Sequence, residues 1–316
     1  MQLNTRVLFF LSTLIAVILC ACRSTDIDEK LAEEEKKLAE YIANTYGDAA
    51  ISLGGGAYMA KLHEETEGAT VVAGNYILWN WKQTNQITGD LEYTSDVSNV
   101  KYPDSYVHGG PELTVVLSSI MDEGLTHMNK GEKANVYIPS RWLFFDFQPR
   151  VFHVDIVEVI KDLTVYQEAL MYRYLRRLQT HRGAPVDTVK NVVSTIDNSE
   201  YNVMYHIMEK GTGEAITDGM NVETKKTISY MIQNEVVHQY AADQNYTWHT
   251  NSTGNMNTLT KTNCMAEIFT KMKKGGKVVV AMPSILFWDN DNLPVNNNGQ
   301  FFIPKGSVVI FTITIT

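Results

Sequence analysis

Apolar and polar residues alternate in short runs over two long stretches, residues 55–160 and 201–316, and helical spacing lies outside them. The runs Ala134–Ile138, Val151–Ile160, Lys277–Met282 and Ser307–Thr316 read as strands. The last alternates cleanly, with Phe311, Ile313 and Ile315 on one face and Thr312, Thr314 and Thr316 on the other. Two stretches carry the helical period. Ile27, Leu31, Leu38 and Ile42 form a thin apolar stripe among Lys and Glu, which predicts a solvated spacer helix from Ile27 to Thr45. Val165, Leu170, Tyr174 and Leu178 predict a second helix over 163–180, placed as a linker between the strand-rich segments. The fold class is therefore α+β, with two tandem domains.

The first residues follow a different pattern. Arg6 precedes a run of about fifteen apolar or small residues that ends Leu19-Cys20-Ala21-Cys22. The run is short for a membrane span and has the order of a lipoprotein signal peptide, with Cys22 as the lipidated residue after cleavage. An ordinary secretory signal or an uncleaved anchor is the alternative. Asp26, Asp28 and Glu29 directly behind it resemble the export signals of Bacteroidetes-type lipoproteins, which implies the outer membrane, at its periplasmic face or the cell surface. The formal charge of −9 becomes one unit more negative once Arg6 is removed, which disfavours nucleic acid as a partner. Cleavage would leave Cys264 as the one cysteine not lipidated, so no internal disulfide can form. Its apolar neighbours make it a buried small hydrophobe rather than a nucleophile.

The two strand-rich segments repeat each other. At an offset of 145, Met59 falls on Met204, Glu64 on Glu209, Gly68 on Gly213 and Gly74 on Gly219. At an offset of 144, Met128 to Lys133 falls on Met272 to Lys277, and Pro139-Ser140 on Pro283-Ser284. Glycines and prolines in step imply the same turns, hence a tandem duplication. The expected layout is a signal at 1–21, a tether and spacer helix at 22–47, a domain at 48–160, a helical linker at 161–200 and a second domain at 201–316.

Each segment resembles an FKBP-type peptidyl-prolyl isomerase domain. Met121 to Pro139 follows that family's helix-and-strand signature, Phe152 to Glu158 its last strand, and Ile303 to Phe311 the same close in the second copy. The resemblance implies a curved antiparallel sheet wrapped on a short helix. It also implies a pocket for a proline ring. Carried over by position, that pocket is Trp81, Tyr93, Met121, Phe144 and Phe152 in the first domain. In the second it is Tyr230, Val237, Met265, Trp288 and Phe311. The family's aspartate is missing from both, at Glu92-Tyr93 and at Val237-His238, and Met121 and Met265 replace its floor tryptophan. Aromatic residues at strand ends equally suit a core.

The implied chemistry needs no acid, base, metal or cofactor. Rotation about X-Pro crosses a barrier of roughly 20 kcal/mol. The twisted amide is less dipolar than the planar one, so an apolar cleft binds it better. The implied partners are proline-containing polypeptide segments, with a membrane held through the lipid. The implied function is a lipid-anchored isomerase and folding factor for exported proteins. The competing function is a non-catalytic FKBP-like binding or chaperone module of the envelope. Tyr230 and the closing strand favour the second domain as the active one, and an insertion at Gln239–Lys261 is read as a flap or a cover. Other motifs carry no chemistry. Asp289 to Asn292 lacks the rest of a calcium loop, Gly54-Gly55-Gly56 follows no clear strand, and His127 and His153 have no ligand spacing.

Overall fold

The computed structural model describes residues 5–95, 104–108, 115–182, 185–194, 196–233, 237–250, 261–287, 303 and 306–316, with side chains of the first helix described from Asp26 onward. The chain divides into two units, Met1–Val159 and Ile160–Thr316. The first contains α1 (Thr5–Tyr46), β1 (Ala50–Gly54), β2 (Ala57–His63), β3 (Tyr76–Asn85), β4 (Leu91–Thr94), β5 (Asp104–Val107), α2 (Val115–Thr126), β6 (Lys133–Ile138) and β7 (Arg150–Ile160). The second contains α3 (Leu163–Arg182), β8 (Val186–Val193), β9 (Glu200–Glu209), β10 (Asn221–Met231), β11 (His238–His249), α4 (Lys261–Phe269), β12 (Lys277–Pro283), α5 (Ser284–Phe287) and β13 (Val308–Ile315). Trp288 and Asp289–Asn292 lie outside the described residues, as does the side chain of Cys22. Among the described residues no helix is long and apolar enough to cross a membrane.

The fold class is α+β, and the two sheets share one topology. Strands run β1-β2-β6-β7-β3-β4 in the first sheet, with β5 also on β3, and β8-β9-β12-β13-β10-β11 in the second. Substituting each strand by its counterpart converts one order into the other. The predicted insertion after Gln239 is instead β11, paired with β10 from Asn221↔His249 to Tyr230↔His238. It occupies the edge that β4 and β5 share in the first sheet, so this part of the insertion is an edge strand, and residues 251–260 lie outside the described residues.

The repeat extends further than the sequence pattern shows. Tyr41 and Tyr46 of α1 pack on Tyr137 of β6, and Leu38 and Ile42 are buried with Ala60, Tyr137 and Val151. These sheet residues face away from the core that holds Met59, Val136 and Phe152. In the second unit, Leu170, Met171 and Leu175 of α3 are buried with Val279, Ala281, Val308 and Ile310, again away from the inner face. Each unit therefore opens with a helix laid on its own sheet's outer face. The spacer helix and helical linker expected from the sequence are corrected accordingly: both belong to the repeated fold. Polar flanks made the first of these helices look solvated, yet one covered stripe suffices to dock it, each buried aliphatic side chain contributing about 1.5–3 kcal/mol. Val165, placed on the stripe by spacing, is exposed.

The shared turns are visible bond by bond. Thr70 bridges Asn129, and Ala215 bridges Lys273. The Gly131 amide donates to the Ile156 carbonyl at 2.7 Å and the Gly275 amide to the Ile315 carbonyl at 3.0 Å. The close approach explains the glycines. A Cβ on Gly68 would stand 2.2 Å from the Lys130 oxygen, and one on Gly213 3.0 Å from the Lys274 oxygen. One detail of the gapless alignment is corrected. Met59 pairs with Val136, whereas Val280, the repeat of Val136, pairs with Tyr205. Tyr205, not Met204, holds the place of Met59, because a one-residue slip in a strand turns every side chain to the other face. The helix-borne repeats hold, with Met121 and Met265 buried in α2 and α4 and Cys264 fully buried beside the latter. Burial pushes the Cys264 thiol pKa upward, as suits a packing residue.

Gly68→Ala is expected to destabilise the first unit by about 1–3 kcal/mol, since the backbone of Lys130 has to give way. Gly74→Ala meets open space at a φ of +84° and is expected to cost about 1–2 kcal/mol through backbone conformation alone. Urea unfolding of the two variants checks the order.

Candidate functional site

Helix α2 packs on the inner face of the first sheet, and a group of aromatic residues lies beside it. Ile120, Met121 and Leu125 seal one end against Met59, Val136 and Ile138. Beyond them, Trp79 and Trp81 sit two apart on β3, so both face the same side, with ring centroids 6.5 Å apart. Trp81 is 6.2 Å from Phe152 of β7. Trp142 and Leu143, in the turn after β6, are half-buried against the same cluster. The Trp142 indole N–H donates to the Gly55 carbonyl at 2.8 Å, which fixes the ring over the β1–β2 turn. Ser95 closes the far side, its hydroxyl accepting the Trp81 amide at 2.9 Å and its own amide donating to the Trp81 carbonyl at 2.9 Å.

The rim of this cleft is ionic. Gln83 pairs with Tyr93 and Thr84 with Leu91, so Glu92 is the extra residue of a bulge. The bulge brings Glu92 to Gln83, whose amide donates to it at 2.8 Å, and to Arg150, whose Nε donates to it at 2.8 Å. Arg150 also donates through Nη1 and Nη2 to the two oxygens of Asp146, at 2.9 and 2.7 Å. Its guanidinium lies 5.1 Å from the Phe144 ring centroid. Burial alone would raise the pKa of Glu92 and of Asp146, but the Arg150 hydrogen bonds outweigh it and both are lowered. Burial likewise works against the Arg150 charge, and the two carboxylates more than restore it.

The first-domain residues named from the resemblance are thus brought together in part. Met121 and Phe152 are buried, Trp81 is half-buried, and Tyr93 and Phe144 are 55% and 51% exposed. Tyr93 stands opposite Gln83 on the Trp81 face, and Phe144 lies at the ionic rim. Sequence reading missed Trp79, Trp142, Leu143 and Arg150. Trp142 and Leu143 were within reach, since they immediately precede Phe144. Arg150 was not, because nothing local pairs it with a bulge residue 58 positions earlier.

The second unit differs. Tyr230, Met265 and Phe311 are all buried. Phe287 of α5, the repeat of Leu143, lies on Phe311 with ring centroids 5.9 Å apart. Of the named set only Val237 is exposed among the described residues.

No protein-family model matches the chain, and no curated protein matches it. Several solved structures do. A peptidyl-prolyl cis-trans isomerase of Pseudomonas syringae is 19% identical at a TM-score of 0.33, covering 42% of this chain and 95% of that one. The three FKBP domains of wheat FKBP73 are 12% identical at 0.28, covering 84% and 97%. FkpA of Escherichia coli is 18% identical at 0.35, covering 50% and 74%. These are partial superpositions at low identity.

The rim gives an acid-side signature. Both carboxylates hold their charge to lower pH in the folded chain than in the unfolded one. The stability they contribute is complete above the ordinary carboxylate pKa of about 4 and is lost as pH falls through their lowered values. Arg150→Leu is expected to flatten this loss, measured as the pH dependence of thermal unfolding between pH 7 and 2.5. A slope unchanged by the substitution contradicts the assignment.

Proposed function

We propose that the first unit binds proline-containing polypeptide segments in the cleft framed by Trp81, Phe152, Trp142 and Leu143, and speeds rotation of their X-Pro bonds. One observation carries the reading. Trp81, Trp142 and Leu143 stay half-buried at the edge of the core, while the nearby carboxylates of Glu92 and Asp146 are tied to Arg150 and unavailable for acid-base work. Such a cleft suits a reaction that needs only a less polar surrounding for a twisted amide. The Trp81 indole offers a flat platform beside the proline ring, with the Phe152 ring next to it. Tyr93, on the same face, presents a hydroxyl that can orient a peptide carbonyl.

Lipidation at Cys22 would hold the chain at the outer membrane, where exported chains are folding. On this reading the partners are those unfolded segments, and the membrane through the lipid. The second unit takes a different part. With Tyr230 and Phe311 buried and Phe287 lying on Phe311, it serves as a non-catalytic module that retains the fold. The preference for the second domain drawn from Tyr230 thus gives way to the first.

The test is cis–trans exchange of a short proline peptide followed by NMR, with the Cys22→Ser chain to keep it soluble. The chain is expected to accelerate exchange, and Trp81→Ala to reduce the acceleration by about tenfold or more, the loss of one aromatic stacking partner plus its buried area. A chain that binds the peptide without accelerating exchange supports the binding-module alternative for both units.

A further inference from the structure

The turn that carries Trp142 and Leu143 is wound around one buried serine. The Ser140 carbonyl accepts the amides of Leu143, Phe144 and Phe145 at 3.0, 3.0 and 2.9 Å, and its hydroxyl accepts the Phe147 amide at 3.1 Å. Phe145 and Phe147 sit at φ of 54° and 60°. Such left-handed conformations cost non-glycine residues about 1–3 kcal/mol each unless their surroundings impose them. Phe144 and Phe145 are thereby turned outward, 51% and 60% exposed, and Trp142 and Leu143 inward.

The imposition comes from α1. Glu34 is 6% exposed on the buried stripe of that helix and Ser140 is fully buried. The Ser140 amide donates to one Glu34 oxygen at 2.8 Å, and the Ser140 hydroxyl donates to the other. Both are charge-assisted bonds. Beside them Glu35 pairs with Arg141. At the far end of the turn the Lys30 ammonium lies 6.0 Å from the Phe147 ring centroid. A groove of about 460 Å³ separates the helix from that end, lined by Lys30, Leu38, Tyr41 and Ile87 together with Phe147 and Pro149. The fastening is therefore polar, through the adjacent carboxylates of Glu34 and Glu35, and not a packed face.

The second unit makes the same kind of tie with different atoms. Gln167, buried in α3, donates to the Ser307 carbonyl at 3.0 Å, and the same carbonyl accepts the amide of Ser284, the repeat of Ser140. In both units a buried polar side chain of the outer-face helix reaches the connection between the last two strands of the repeat.

We infer that Glu34 is a positioning residue for the cleft: through Ser140 it holds the Trp142–Phe147 turn in the conformation that frames Trp81. The functional half of this inference rests on the proline-cleft reading, and the structural half stands without it. The N-terminal helix is then part of the site although it contributes no wall to it.

Hydrogen exchange of backbone amides and the indole resonances of the full chain test it. In Glu34→Ala the amides of Phe145 and Phe147 are expected to exchange on the order of 10- to 100-fold faster, the loss of a hydrogen bond to a charged group. Those of Val136 and Val154 in the sheet should stay protected, and the Trp142 indole resonance should move. Glu34→Gln, which keeps one acceptor, is expected to fall between, and it carries the test if the alanine variant does not fold. Where the wild type accelerates proline exchange, the peptide KM should rise in the order Gln then Ala. Turn amides as protected as in the wild type overturn the inference. So do released amides with an unmoved Trp142 resonance, since the turn would then not set the cleft. Neither readout requires proline binding, so a failure of the isomerase reading is seen separately.

Discussion

A curved antiparallel sheet has one concave apolar face, and whatever covers that face decides what the domain can do. Exposed, the face would cost roughly 25 cal/mol for each Å² of apolar surface left in water. In both units a short helix covers part of it, through Met121 and Leu125 in one and Met265 and Phe269 in the other. The units part company over the remainder. In the first, Trp81 stays half-open between Phe152 and the Trp142 turn. In the second, Tyr230 is buried and Phe287 lies on Phe311. Among the described residues the difference is that Trp81 is half-buried in the first unit and Tyr230 is buried in the second.

The connection between β6 and β7 is costly to hold in shape. Two phenylalanines adopt left-handed backbone conformations and two expose their rings. Its supports come from outside it, with Glu34 at Ser140 and Arg150 at Asp146. The outer-face helices α1 and α3 therefore do two things. They bury the back of each sheet, and they pin the segment that leaves its front.

What could be read along the chain was what sits close in sequence or repeats at a fixed spacing. Gly68 and Gly213 are glycines because a backbone oxygen crowds each of them, so they marked the same turn twice. The closing strand alternated because Phe311, Ile313 and Ile315 are buried while Thr312 and Thr314 on the other face are half-buried. What could not be read involved pairings across long separations. Glu34 reaches a serine 106 residues on, and its helix looked like a spacer because its buried stripe is one residue wide. The bulge at Glu92 leaves no mark in composition, and without it the Arg150 partner is invisible. The slip that gives the place of Met59 to Tyr205 was hidden by a chance match to Met204.

The most direct measurement is a titration of the full-length Cys22→Ser chain with a short proline peptide, read on the tryptophan indole resonances. The described tryptophans report separately, with Trp81 and Trp142 at the cleft and Trp248 buried in the second unit against Phe269 at 5.9 Å. The account predicts that Trp81 and Trp142 shift together with one binding curve while Trp248 stays in place. A shift confined to Trp248, or no shift at saturating peptide, would contradict it.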